Sequence, residues 1–163
     1  MDDDQIQIMD VQKAEKAWLI ETANKYWGST IVVSRSQMHD LLTLPGLVAF
    51  YKLKLAGWLA YQIIGASCEI VSLISTIERV GIGSVLITSI KMQATQSGCT
   101  RLWLTTTNDN IPALKFYQKQ GFHIAAVYPD ILVEYRKIKP SIPLIGHDGI
   151  PIRDEIELEI DLG

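Results

Sequence analysis

A chain of 163 residues, 48% of them hydrophobic, has the length and apolar content for one domain with a genuine core, which excludes a disordered or fibrous chain. Its 18 acidic and 15 basic residues give a formal net charge of −3, so it lacks the basic footprint of a nucleic-acid binder, and the mild acidity favours cationic acceptors such as amines. Two cysteines, Cys68 and Cys99, match neither a metal-ligand spacing nor a secreted disulfide framework, and they are expected as reduced core thiols in a cytoplasmic protein.

Met1-Asp2-Asp3-Asp4 reads as a flexible acidic end, of the wrong charge for a signal peptide. Residues 5–8 alternate and predict a short strand. Residues 11–26 predict a helix with Ala14, Trp18 and Ala23 near one face and Leu19 and Ile20 beside it; Trp27-Gly28 stops it. Residues 31–34 are a short apolar run, strand or loop, and Leu41-Leu42 is too brief to assign. Residues 47–51 and 58–64 predict strands, and Gly65-Ala66 turns into another over 67–73. A helix is expected from about 83 to 97, where Leu86, Ile90 and Ala94 stand four apart and Gly98 closes the run. Residues 100–106 predict a buried strand. After a polar turn, Pro112 suits the first turn of a helix and Gly121 its end. Residues 122–128 form a further strand, Asp130 is the expected cap of a short helix to Lys137, and residues 140–151 are a loop rich in breakers. Residues 155–162 alternate acidic and apolar, the clearest strand in the chain, and as a possible sheet edge it suggests a homodimer. All of this fits one domain over 1–163, with 128–151 inserted between the last strands. No apolar run reaches membrane-spanning length, and no membrane partner is expected.

The chemistry concentrates in Glu78-Arg79-Val80-Gly81-Ile82-Gly83-Ser84, between the 67–73 strand and the following helix. Glycine permits positive φ and close approach of backbone to a ligand. The first N–H groups of a helix lack intrahelical partners and carry partial positive charge, so such a turn holds an anion, most often a phosphate. It is not a P-loop, because Gly83-Ser84-Val85 has no lysine. It is not a Rossmann fingerprint, because Leu86 stands where the third glycine belongs. A second motif, Asn110-Ile111-Pro112-Ala113-Leu114-Lys115-Phe116-Tyr117-Gln118-Lys119-Gln120-Gly121-Phe122, lies one helix and one strand downstream.

With these two motifs in this order, the chain resembles the GCN5-related N-acetyltransferases (GNAT family), which carry Gln/Arg-x-x-Gly-x-Gly/Ala and Asn-x-x-Ala-x-x-Phe-Tyr-x-x-x-Gly-Phe. Glu78 departs from the usual Gln or Arg, leaving the backbone cradle intact. Cys68-Glu69-Ile70-Val71, Val33-Ser34-Arg35, Leu44-Pro45-Gly46, Lys139-Pro140-Ser141-Ile142-Pro143 and Asp148-Gly149-Ile150-Pro151-Ile152-Arg153-Asp154 extend the resemblance, to a small bacterial-type subset, over nearly the whole chain. It implies an α+β fold: a mixed, mostly antiparallel sheet flanked by helices, with two central parallel strands, 67–73 and 100–106, splayed apart. It also implies acetyl-CoA as cofactor. The pantetheine arm would pair with the backbone of Leu73, Ile74 and Ser75, and the pyrophosphate with Arg79, Val80, Gly81, Ile82, Gly83 and Ser84. Asn110 and Tyr117 would also contact the cofactor. Gly81→Ala and Gly83→Val are each expected to abolish binding while sparing the fold.

The implied reaction is acetyl transfer to a primary amine of a small molecule or protein. Tyr117 is the expected general acid; the alternative is a core aromatic. Glu69, the only acid within an apolar strand, is the expected general base, directly or through water; the alternative is an exposed position or a structural ion pair. His123 is a second candidate base, and His39 and His147 rank below it. Arg35 is read as a surface arginine rather than a substrate contact, and Cys99 as inert. The acceptor would lie between residues 27–46 and 128–151, where Trp27 and Tyr128 suit a cation or a ring. The competing functions are an acyl-CoA-binding module without turnover and, further off, a binder of ATP or NAD.

Overall fold

The structure is a computed structural model and describes residues 5–163; the acidic end lies outside the described residues. Among the described residues, nine strands and four α-helices follow in the order β1 (Ile6–Asp10), α1 (Lys16–Trp27), β2 (Ile31–Ser34), β3 (Gln37–Asp40), β4 (Gly46–Tyr51), β5 (Lys54–Ile64), β6 (Ser67–Ser75), α2 (Ile82–Gln96), β7 (Arg101–Thr107), α3 (Ile111–Lys119), β8 (His123–Tyr128), α4 (Ile131–Ile138) and β9 (Glu155–Asp161). Seven strands form one sheet in the order β1-β4-β5-β6-β7-β9-β8, and β2 and β3 form a separate hairpin. Every neighbouring pair in the sheet is antiparallel except β6 and β7. This is the mixed α+β architecture expected.

The sheet separates two apolar layers. On one face α2 buries Ile82, Leu86, Ile87, Ile90 and Ala94 against Leu59, Cys68, Ile70, Leu102 and Leu104, and α3 adds Tyr117. On the other, Leu19 and Ala23 of α1 pack on Val48, Trp58, Ala60 and Ile74. Gly57 in β5 lets the first turn of α2 lie against the sheet, since a Cβ there would meet Ile82 Cγ2 at 2.6 Å.

The parallel pairing of β6 and β7 runs only from Ser67↔Arg101 to Ile70↔Leu104. Beyond it β6 stays paired to β5 as far as Ser75↔Gly57, and β7 to β9 as far as Thr107↔Glu155. The facing backbones of residues 71–75 and 105–107 therefore part with no strand between them. The cause is local. The β5–β6 register steps from Ala60↔Ser72 to Tyr61↔Ile70, leaving Val71 as the extra residue of a bulge at the point of separation. Bulges bend and twist the strand that holds them.

Three expectations are corrected, and one element was not anticipated. The first helix does not begin at Val11: Asp10 accepts a hydrogen bond from the Gln12 N–H at 2.9 Å and caps a short 3₁₀ turn, and extended Ala14 and Glu15 delay α1 to Lys16. Residues 37–40 form β3, joined to β2 through Arg35 and Ser36 at φ +48 and +64, a hairpin turn without the glycine or asparagine that would announce it. Asp130 stands at the N-cap of α4 as expected, but at φ +59 its side chain makes no cap bond and instead pairs with Arg153 at 2.8 Å. Finally, β9 is not an edge. It lies between β7 and β8, and the edges are β1 and β8.

Candidate active site

The split sheet meets the glycine turn at one end and a cavity at the other. Gly81, the N-cap of α2, has φ +88, and Arg79 has φ +65. The first backbone bond of the helix closes from Val85 N to Gly81 O at 3.0 Å. The N–H groups of Ile82, Gly83 and Ser84 precede it and have no intrahelical acceptor. Ile82 is buried, with its side chain in the core. Ser84 Oγ accepts a hydrogen bond from Gln120 Nε2 at 2.9 Å. Gly83 has a structural duty as well: a Cβ there would meet the Phe116 ring at 3.1 Å. Gly83→Val therefore requires the Phe116 ring to shift, so the variant acts on the contact between α2 and α3 as well as on the turn. Leu73 is half-buried and Ile74 buried, while the Ser75 hydroxyl donates to Ile77 O at 2.9 Å.

Asn110 Oδ1 accepts from the Ala113 N–H at 3.3 Å and so caps α3, with Pro112 in the first turn. One turn and a half on, Tyr117 is 8% exposed, its ring 5.2 Å from Phe116 and 5.7 Å from Phe122 between centroids. Burial pushes its phenol far above the ordinary tyrosine value, so it is a protonated hydroxyl throughout the neutral range.

The cavity, about 630 Å³, opens on the α1 face of the sheet. Val71, Thr105, Thr106 and Thr107 line it, so the separated strands form its floor, and Asn110 lies at its edge. Trp27, Ser34, Tyr135, Ile142, His147 and Ile152 are among its walls. The walls are tied across the cavity by side chains. Lys139 Nζ donates to Ile31 O at 2.7 Å and Trp27 O at 3.3 Å, and its desolvation lowers its pKa. Tyr135 Oη donates to Glu155 Oε1 at 2.6 Å and accepts from the Ser36 N–H at 3.0 Å; burial, then the Glu155 carboxylate, pushes it up to about 12. Arg35 pairs with Glu155 at 3.0 Å and lies 3.3 Å over the Tyr128 ring, so Arg35 and Tyr128 are structural partners of one another.

Two carboxylates on the cavity wall went unnoticed in the sequence. Glu155 is 3% exposed and was read only as a strand residue. Asp109 is 3% exposed; its carboxylate accepts from Thr107 Oγ1, His147 N at 3.1 Å and His147 Nδ1 at 3.0 Å. Burial opposes its ionisation, but the Thr107 and His147 hydrogen bonds prevail and lower its pKa. It also holds the loop backbone so close that a Cβ on Gly146 would fall 1.9 Å from Oδ2.

Glu69 is 4% exposed and lies behind this wall. It accepts Ser34 Oγ at 2.6 Å and Gln62 Nε2 at 2.8 Å, and Ser34, not Glu69, reaches the cavity. The sequence ranking of the histidines is reordered. His123 is exposed on β8, 3.6 Å from Glu159, and away from the cavity, whereas His147 is on its wall. His39 is buried on β3. Both cysteines are buried and unpaired with one another, and burial raises Cys68 to about 12. Trp27 does line the cavity, with Nε1 donating to Ser72 Oγ at 2.9 Å. No group of metal ligands is present among the described residues, nor is any helix long and apolar enough to cross a membrane.

Residues 12–122 match the model of the Acetyltransferase (GNAT) family. The chain is 39% identical over 142 residues to the uncharacterized protein YdhI of Bacillus subtilis, across 86% of this chain and 89% of that one. Among solved structures, a Bacillus subtilis acetyltransferase in complex with CoA superposes with a TM-score of 0.74 at 22% identity, covering 96% of this chain and 97% of that one. A GNAT family acetyltransferase from Elizabethkingia anophelis with acetyl-CoA bound does so at 0.71 and 20%, covering 97% and 99%. At those identities the likeness is one of fold, whereas the family model spans most of the chain. A split parallel pair, a glycine turn at one end of the split and a cavity floored by the same two strands thus occur in a chain that belongs to the GNAT family of acetyltransferases.

Proposed function

We propose that the protein is an N-acetyltransferase that moves the acetyl group of acetyl-CoA to the amine of a small molecule held in the 630 Å³ cavity. The observation that carries this reading is the pair of facing strand edges at residues 71–75 and 105–107, which are not paired to one another. Unpaired amides away from water are costly, and an extended ligand with its own amides relieves that cost. The pantetheine arm of coenzyme A is such a ligand, held by the backbone of Leu73, Ile74 and Ser75. The backbone N–H groups of Arg79, Val80, Gly81, Ile82, Gly83 and Ser84 suit its pyrophosphate, and Asn110 borders the same gap. When bound, the cofactor supplies an activated acetyl thioester.

The chain's own residues supply proton handling and exclusion of water. Tyr117 holds a proton at Oη for the leaving thiolate, consistent with its raised pKa. Glu69, set behind Ser34, takes the proton of the attacking amine through an intervening group. The threonine-lined floor and the Lys139 tie orient the acceptor and close the cavity around it. That tie favours a small molecule over a protein amino group, because it joins the segment after α4 to the end of α1 and the start of β2 and so narrows the cavity. An acyl-CoA-binding module without turnover is the second reading, since the glycine turn serves binding alone equally well.

Calorimetric titration with acetyl-CoA, with NAD and ATP as controls, tests the cofactor. Thiol release is then followed with a panel of arylalkyl and alkyl amines and with peptides bearing free N-termini. Saturable binding of acetyl-CoA alone and turnover of small amines are expected. Binding without any thiol release would favour the module, and peptides outpacing every amine would reverse the acceptor assignment.

A further inference from the structure

Ser34 occupies an unusual place. It ends β2 at the point where β6 and β7 part, and it touches both: its Oγ is 2.6 Å from Glu69 Oε1 on β6 and 3.1 Å from Thr105 Oγ1 on β7. It is only 5% exposed, yet it is on the cavity wall. On the far side of Glu69, Oε2 accepts Gln62 Nε2 at 2.8 Å, and Gln62 and Glu69 line a second recess of about 300 Å³ together with Arg101 and Trp103. Glu69 therefore lies between two spaces, reaching the main cavity through Ser34 and the recess through its own edge. Arg101, the cation lining that recess, is engaged by Glu157 at 2.8 Å and by Glu159. Among the described residues Glu69 has no ion-pair partner, only the two neutral donors.

The hydrogen-bond inventory fixes the direction. A serine hydroxyl has one proton and two acceptor sites. With its proton on Glu69, Ser34 accepts from Thr105 Oγ1–H and keeps one lone pair for a donor in the cavity. We infer that Ser34 is a catalytic proton relay: it accepts a proton from the acceptor nitrogen as that nitrogen attacks, while its own proton passes to Glu69. The step balances. The N–H bond breaks and a new O–H bond forms on Ser34; the old Ser34 O–H bond breaks and a carboxyl O–H forms on Glu69. The nitrogen lone pair forms the new bond to the acetyl carbon, the C–S bond of the thioester breaks with its electron pair going to sulfur, and the leaving thiolate takes the proton held by Tyr117. The Glu69 proton then leaves to water in the Gln62–Arg101 recess, which separates proton exit from substrate entry. This rests on the acetyltransferase reading and on Glu69 as base.

A double-mutant cycle tests it. Acetyl-CoA titrations come first, on the wild type, Ser34→Ala, Glu69→Gln and the double variant. Equal affinities leave the cofactor site intact, whereas no binding by the wild type overturns the acetyltransferase reading and the relay with it. Thiol release is then followed with the best amine, or with water as acceptor if no amine turns over. Each single variant is expected to lose about 100-fold in kcat, and the double variant no more than the larger single loss, because the two groups act as one unit. Ser34→Thr, which keeps the hydroxyl, is expected within about tenfold of wild type, and Ser34→Cys supplies the same test should the extra methyl unfold the hairpin. A kcat within threefold of wild type in folded Ser34→Ala, or losses that multiply in the double variant, would overturn the relay and leave Ser34 a structural tie.

Discussion

The two halves of the proposed site, one assigned to the cofactor and one to the acceptor, are built by different means. The cofactor half, from β6 through α2, β7 and α3, is made of backbone: a bulge, a left-handed glycine and a helix N-terminus, each set by residues close in sequence. The acceptor half is made of side chains that reach across 100 residues or more, such as Lys139 to Ile31 and Arg35 to Glu155. A backbone site can accept many side-chain sequences. A site held by long-range ties changes with each of them, so the first half suits a shared cofactor and the second a particular substrate.

Breaking one tie should cost more stability than breaking the cradle. Glu155→Ala leaves Arg35, Tyr135 and the Arg35–Ser36 turn without their common acceptor, and a loss of about 3 kcal/mol in urea unfolding is expected. A loss under about 1 kcal/mol would mean that the acceptor half does not depend on this node. Gly81→Ala places a Cβ at φ +88, which costs about 1 kcal/mol of stability, but it distorts the turn, so the dissociation constant for acetyl-CoA should rise about tenfold or more. Unchanged affinity in the folded variant would remove the anion cradle. This variant replaces Gly83→Val as the clean test, because Gly83 also spaces α2 from α3.

The smallest effect separates the halves by pH. The Asp109 pKa is lowered on folding, so its contribution is complete above the ordinary carboxylate value and is lost as pH falls through the lower folded value. Thermal melts should therefore fall on acidification below about pH 4, and Asp109→Asn should flatten that fall while leaving the cofactor half unaffected. An identical acid limb in the variant would show that the Asp109–His147 contact contributes nothing on that side.

What the sequence revealed follows the same division. The strand and helix periods, the α2 and α3 boundaries and the glycine turn were legible because each is a short-range pattern. The β2–β3 hairpin was hidden by a turn built from Arg35 and Ser36, whose positive φ values no residue type there advertises. Glu155 and Asp109 were hidden for another reason. Their importance comes from Tyr135, Arg35 and His147, between 20 and 120 residues away, and nothing in the Glu-Ile-Glu alternation marks one glutamate of the strand as buried. Glu69 did stand out, since an acid in an apolar strand needs a partner, but that the partner would be Ser34 could not be read from spacing. His147 was undervalued because a loop position carries no sign of the cavity beneath it.

The position of β9 has a consequence for how the chain is made. It leaves the ribosome after both β7 and β8, yet it belongs in the interior of the sheet between them. Until residues 155–161 arrive, β7 presents an open edge, and β8 with α4 has nothing to dock on. Pairings of such high contact order form slowly, and an unfilled edge is a template for association with other nascent chains. The strand that brings Glu155 to the cavity wall also sets the time at which the half-made sheet stops being a hazard.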